Sequence, residues 1–334
     1  MDTDGVCVVA CADARADRLT YIRQRFPHIR PYETLDQLFD AERRQEVRID
    51  LVVVATPSSS HYELTKAALT RGKHVVVEKP FTLRSDEAAE LVELAQRQRL
   101  RLVVDFTFLY TGAVQRIKEL IHAGELGELY YFDSSRINLG LLQPDTNVLW
   151  DLAAHDISIL LYLTGQHPTA VVGHGGSFIR EGIPEIAYVN LTFPKGLLAH
   201  VAVSWLSPVK VRKLLVGGSK KMILYDDIEN IEKVRVYDKG VLFNGHDPQG
   251  LLERQLTYRT GDVWVPKIDT TEPLKAMCAH VKACIDDASK PLRTDGRFGL
   301  EVVQILERVE ESMRHNGQEL EVGRSAGAST RRRA

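Results

Sequence analysis

The residue of this chain best placed to move a proton is Lys79. It stands between a glutamate and a proline in Glu78-Lys79-Pro80, directly after the run His74-Val75-Val76-Val77. Burial or a neighbouring positive charge lowers a lysine pKa towards the working range, which makes such a lysine a candidate general acid or base. A surface Glu-Lys pair in an ordinary turn reads the same way, because perturbed groups only tend to cluster at sites. A second pair is Asp151 and His155, four apart in a helical pattern and so on one face, about one turn apart. A neutral imidazole oriented by a carboxylate transfers protons near neutral pH. Taken alone, such a pair is more often a solvated surface couple. The third candidate is Asp13, which ends the apolar run from Gly5 to Ala12. An acid ending the second strand of a dinucleotide-binding fold bonds the adenosine ribose and repels a 2′-phosphate, favouring NAD over NADP. Asp is equally apt as a helix N-cap.

Two strands must position the first group. Asp50 to Val54 and His74 to Val77 are continuous β-branched runs, the pattern of strands buried on both faces of a parallel sheet. They stop at Thr56-Pro57 and at Glu78-Lys79-Pro80. Ligands of open α/β sheets sit beyond the carboxyl ends of such strands, so Thr56, His61, Glu78 and Lys79 are delivered to one edge. The linking segment reads as a helix from Tyr62 to Arg71 stopped by Gly72. Around this pair lie a helix from Ala14 to Phe26, a short strand from Ile29 to Glu33, and a helix capped by Thr34. A helix from Ser85 to Gln98 and a last strand from Leu102 to Asp105 follow, with the domain boundary between Phe106 and Tyr110.

The second part opens with a helix from Ala113 to Ala123, ended by Gly124, and an alternating strand from Glu128 to Asn138. Between Thr169 and Tyr237, short alternating runs separated by turn signals predict a largely antiparallel sheet of about six strands. Arg136, Asn147 and Trp150 are expected to wall the substrate side, with Tyr110 reaching the same pocket. A strand-surface charge is the competing reading of Arg136, which otherwise would fork onto a phosphate or carboxylate; a core aromatic is the competing reading of Tyr110. Gly245 to Lys267, with His246, reads as a polar flap; Pro273 to Asp287 and Gly296 to His315 read as amphipathic helices; Gly323 to Ala334 reads as a disordered tail.

The segments TPSSSHYELTKAAL and GKHVVVEKPFTL resemble the glucose–fructose oxidoreductase/inositol dehydrogenase/MocA family of nicotinamide-dependent sugar oxidoreductases. NVLWDLAAHDIS is similar to the second-domain motif of that family, with Ala154 where relatives often carry proline. The resemblance implies a Rossmann-like parallel-sheet domain over 1–108, then an α+β domain with an open, mainly antiparallel sheet over 109–322. It implies that Lys79, Asp151 and His155 are the catalytic set, meeting across a crevice. NAD, or less readily NADP, is expected against Asp13, Thr56, Pro57, His61, Glu78 and Lys79. The expected chemistry is hydride transfer between nicotinamide and a secondary alcohol or ketone of a sugar or nucleotide-linked sugar. A homodimer or homotetramer is expected through the second-domain sheet, where Val201, Val203 and Trp205 are candidates for the exposed face and core packing is the other reading of Trp205.

One part of the pattern is missing. The chain contains no G-x-G-x-x-G turn, whose backbone N–H groups would take the pyrophosphate, and only four residues precede Gly5. In the strand order 3-2-1-4-5-6, absence of the first strand leaves a gap in mid-sheet. A mis-assigned start or a fragment explains this; so does true loss of the loop, which suggests a non-catalytic sugar-binding or interaction protein instead. Bulk properties narrow the class further. The 334 residues suffice for two cores, and 44% hydrophobic and 26% charged content is that of an ordinary soluble protein. A net charge of -2 leaves no electrostatic footprint for nucleic acid or an anionic membrane. No apolar stretch is long enough to span a bilayer, and the acidic start argues against a secretory signal. The four cysteines lack CxxC spacing, so buried free thiols, no metal site and a reducing, cytoplasmic compartment are expected.

Overall fold

The computed structural model describes residues 3–143, 146–243 and 256–323, and the chain divides into two compact units. The first comprises Met1–Asp105 together with Leu274–Leu300; the second comprises Phe106–Pro273 and the residues from Glu301 onward. The break follows Asp105, where the expected first domain ran to 108. The return of 274–300 to the first unit was not expected: amphipathic helices reveal that one face is covered, but not which sheet covers it.

In the first unit strands and helices alternate: β1 (Ala10–Ala12), α1 (Ala16–Arg25), β2 (Arg30–Tyr32), α2 (Leu35–Arg43), β3 (Leu51–Val54), α3 (His61–Thr70), β4 (His74–Glu78), α4 (Ser85–Arg97) and β5 (Leu102–Asp105). Thr34 caps α2 by accepting the Gln37 N–H at 3.2 Å, and Gly72, at φ +75°, ends α3 in the left-handed region that glycine adopts without strain. All strand pairs are parallel, yet the sheet is in two pieces, β1–β2 and β3–β4–β5. The break falls between the strands that would flank the central one in the order 3-2-1-4-5-6. Among the described residues nothing pairs with the second edge of β3, and Val53 is 62% exposed. Burial of β3 on both faces, expected from its β-branched run, therefore fails, whereas β4, paired on both edges, buries Val75, Val76 and Val77. The far edge of β5 is closed by 294–295, where Thr294 O accepts the Val104 N–H at 2.8 Å and Asp295 bridges Val103.

In the second unit α5 (Gly112–His122) and β6 (Leu129–Leu139) lead to a π-helical turn, Leu149–Ala153, that runs into α6 (Ala154–Thr164). Then come β7 (Ala170–Gly176), β8 (Ile186–Thr192), β9 (Leu198–Ser204), β10 (Leu206–Gly218), β11 (Met222–Asp226), β12 (Val234–Phe243) and β13 (Leu256–Trp264). The helix α7 (Pro273–Asp286) and the first residues of α8 (Gly296–Arg314) belong to the first unit, and the rest of α8 and a short β14 (Leu320–Glu321) return to the second. The sheet has nine strands in the order β13-β12-β11-β10-β6-β9-β8-β7-β14, antiparallel except for the β6–β9 pair. It is larger than the six strands expected between Thr169 and Tyr237, because β6 joins from before α6, β13 from within the predicted flap and β14 from after α8. His246 and residues 324–334 of the expected tail lie outside the described residues.

The two faces of this sheet are reversed from expectation. Val201, Val203 and Trp205 are buried, while Leu198 and Tyr188 are 55% and 50% exposed. Strand side chains alternate, so choosing the wrong parity moves the whole set to the other face. The four cysteines carry no disulfide, and only Cys284 is buried, with Cys7 exposed.

Candidate active site

In the first unit the parallel register of β4 and β5 sets Glu78 directly beside Asp105 at the carboxyl ends of both strands. Asp105 is 7% exposed. Burial, and then the charge and hydrogen bond of Asp105, push the Glu78 carboxyl up to about 7, against the opposing pull of the Lys79 N–H and ammonium. Two close carboxyl groups do not both ionise readily, so near neutral pH the pair tends to share a proton. Lys79 follows immediately, half-buried, and its bond to the buried Pro80 is cis. Asp105 carried no functional signal in the sequence beyond ending an apolar run; its importance comes from strand register.

Thr56 and Pro57 lie exposed beyond β3, and the Ser60 hydroxyl is 2.7 Å from Thr56 Oγ1. His61 behaves differently from expectation. It is 1% exposed, with Nδ1 2.8 Å from the Pro80 carbonyl and Nε2 2.9 Å from the Thr56 carbonyl. Both ring nitrogens face backbone, so His61 ties the ends of β3 and β4 together instead of presenting its ring to a ribose. A neutral ring donates only one of these bonds. Asp13, just beyond β1, accepts the Arg15 N–H on Oδ1 at 2.8 Å and turns the chain into α1.

In the second unit Asp151 sits in the π-helical turn and His155 near the start of α6, both half-buried. π-Helical turns are rare and recur at functional sites. Trp205 Nε1 donates to Asp151 Oδ2 at 3.0 Å, and His155 meets the Phe108 ring edge-on at 4.9 Å. The Arg136 guanidinium also lies over the Phe108 ring, 4.5 Å from its centroid.

Arg136 is a correction. It is 4% exposed and forks onto Asp156 at 2.7 and 3.2 Å, with Ser134 bonded to the same carboxylate at 2.7 Å. An arginine so committed anchors α6 to β6 and does not read substrate. Asn147 is likewise structural: its Oδ1 accepts the Leu149 N–H at 3.0 Å and its amide donates to Glu310 at 2.7 Å, capping the π-turn. Trp150 and Tyr110 are each 4% exposed and belong to the core. Sequence reading missed Phe108, Asp156 and Trp205 as neighbours of the pair. Asp156 was visible inside NVLWDLAAHDIS, and Ser134 and Arg136 share one face of β6, but nothing local joined them.

A dinucleotide fits these elements in part. Asp13 suits ribose hydroxyls, and Thr56 and Lys79 stand at strand ends where a nicotinamide ribose would lie. No glycine-rich turn opening a helix occurs among the described residues, so none of these elements supplies the usual pyrophosphate donors.

Comparison with known proteins adds the following. The model of an oxidoreductase family with an NAD-binding Rossmann fold matches residues 1–106, and that of the GFO/IDH/MocA C-terminal domain matches residues 114–224. An uncharacterized oxidoreductase of Schizosaccharomyces pombe is 34% identical over 176 residues, 49% of this chain and 46% of that protein. A UDP-N-acetylglucosamine 3-dehydrogenase of Acidithiobacillus ferrooxidans is 28% identical over 238 residues, covering 64% of this chain and 73% of the enzyme. The match spans less than half the length of the first two curated relatives, 46% and 42%. In structure the chain resembles the same Acidithiobacillus ferrooxidans enzyme, with TM-score 0.73 and 23% identity over 92% of this chain and 90% of that one. It also resembles an inositol dehydrogenase homolog from Azotobacter vinelandii complexed with NADH and myo-inositol, with TM-score 0.76 and 20% identity over 92% and 88%. At these identities the structural likeness speaks for the fold alone.

Proposed function

The chain belongs to the GFO/IDH/MocA family of oxidoreductases, and we propose that it catalyses NAD(P)-dependent hydride transfer at a secondary alcohol or ketone of a sugar or nucleotide-linked sugar. The observation that carries this reading is the placement of Lys79 at the carboxyl end of β4, directly after Glu78, which the strand register sets beside Asp105. The names of relatives that act on UDP-N-acetylglucosamine and on scyllo-inositol support the substrate class.

When bound, the nicotinamide supplies the hydride acceptor or donor. The remaining work falls to this chain. Oxidation of an alcohol requires removal of its hydroxyl proton, and His155 is the base for it. Asp151 orients the imidazole and stabilises its protonated form. Lys79 polarises the substrate oxygen or relays the proton, with Glu78 and Asp105 as its neighbours. Asp13 takes the adenosine ribose and biases the cofactor towards NAD; Thr56 and Pro57 line the nicotinamide side. The exposed sheet face bearing Tyr188 and Leu198 pairs with a second copy of the chain.

A second reading, a sugar-binding or interaction protein without catalysis, is favoured by one observation: the described residues hold no glycine-rich phosphate turn. Titrating NADH into the purified chain and following its fluorescence separates the two. Saturable binding, followed by turnover in a screen of nucleotide sugars and inositols, supports the enzyme. A folded chain that binds sugar but no dinucleotide supports the second reading.

A further inference from the structure

Trp205 is 1% exposed and held from several sides. Its backbone N–H donates to the Glu185 carbonyl at 2.9 Å, and its own carbonyl accepts the Gly140 N–H at 3.0 Å. Gly140 lies so close that a Cβ there would come within 2.8 Å of the indole Cδ1. The Arg180 guanidinium covers the ring at 5.6 Å from a centroid. Arg180 is held in turn, with Nη1 donating to the Gln143 carbonyl at 2.6 Å and Nε 3.6 Å from Glu185 Oε1. Glu185, fully buried, accepts the N–H groups of Phe178, Ile179 and Arg180 at 2.7, 3.3 and 3.0 Å. The one polar atom of the indole donates to Asp151 Oδ2 at 3.0 Å.

We infer that Trp205 is a positioning residue for Asp151: its indole N–H sets the rotation of the carboxylate, and the Arg180–Glu185 bracket sets the indole. A buried indole needs an acceptor, but any backbone carbonyl would satisfy it. Here the acceptor is a half-buried carboxylate in a π-helical turn. With one oxygen bonded to a side chain that cannot move, rotation about Cβ–Cγ is arrested and the direction of Oδ1 follows. The inference rests on the proposed role of Asp151 in orienting His155.

The test has a spectroscopic arm and a kinetic arm. The chain has three tryptophans, so three indole N–H signals are expected in a 15N–1H spectrum, and that of Trp205 is the one lost in Trp205→Phe. Asp151→Asn is expected to move this signal; a signal left in place overturns the inference. In the kinetic arm, Trp205→Phe keeps the ring and removes the donor, and is expected to lower kcat about tenfold with KM changed less than about twofold. On an Asp151→Ala background, which leaves the indole no side-chain acceptor at this position, the same substitution is expected to change kcat by less than about twofold, because its partner is gone. An equal fall in both backgrounds means a merely structural role and overturns the inference. If the unsubstituted chain turns over no sugar with NAD(H), the proposed function fails and the positioning role with it, while the hydrogen bond is still decided by the spectrum.

Discussion

At the scale of single residues, the site is a matter of where a few protons reside. Lys79→Met removes the only ammonium of the Glu78-Lys79-Pro80 turn and is expected to lower kcat by roughly 10²–10⁴-fold while substrate still binds. Wild-type turnover in this variant would remove Lys79 from the mechanism. Glu78 makes a separate prediction about stability. Its carboxyl is raised from 4.5 to about 7 in the folded chain, so between these values the folded state holds more protons than the unfolded one. Its contribution is therefore fully present below about 4.5 and is lost as pH rises through about 7. Urea midpoints measured across this window should fall through this group, and Glu78→Gln should flatten that component of the slope. An unchanged slope would mean that burial and the neighbouring Asp105 do not hold Glu78 in its neutral form.

At the scale of elements, α6 is held by a buried ion pair and a cap, and both were read from the sequence as substrate contacts. Arg136→Ala leaves Asp156 uncompensated in the interior and is expected to cost about 3–5 kcal/mol of stability. Were Arg136 a substrate reader instead, the variant would raise KM and leave the urea midpoint where it was. Asn147→Ala removes a cap acceptor and is expected to cost about 1 kcal/mol, also visible in the urea midpoint. These errors share a cause. Arg and Asn near a catalytic motif look like recognition groups when their partners, Asp156 and Glu310, are 20 and 163 residues away in the chain.

At the scale of the whole molecule, the described residues leave open the second edge of β3 and one face of the nine-stranded sheet. That face carries Tyr131, Tyr188, Leu198 and Leu215, all more than a third exposed. The register places Tyr131 opposite Leu198 and sets both two residues from the His200 and Asp133 row, so these side chains share the face. Leu198→Glu puts a charge on this face and is expected to shift sedimentation of the chain from the mass of a dimer or tetramer to that of a monomer. Identical sedimentation of both forms would place the interface elsewhere.

The sequence by itself determined the alternation of strand and helix in the first unit and the carboxyl-end placement of Thr56 and Lys79, because those features are written in local periodicity and punctuation. Tertiary structure alone decided the rest. Both faces of the second sheet carry apolar residues, so only packing against the helices chose Val201 for the core and Leu198 for solvent. Only strand register brought Asp105 to Glu78, and only the fold of the second unit brought Trp205, 54 residues along the chain, to the carboxylate of Asp151. Contacts of that kind depend on which elements become neighbours, and no local pattern encodes it.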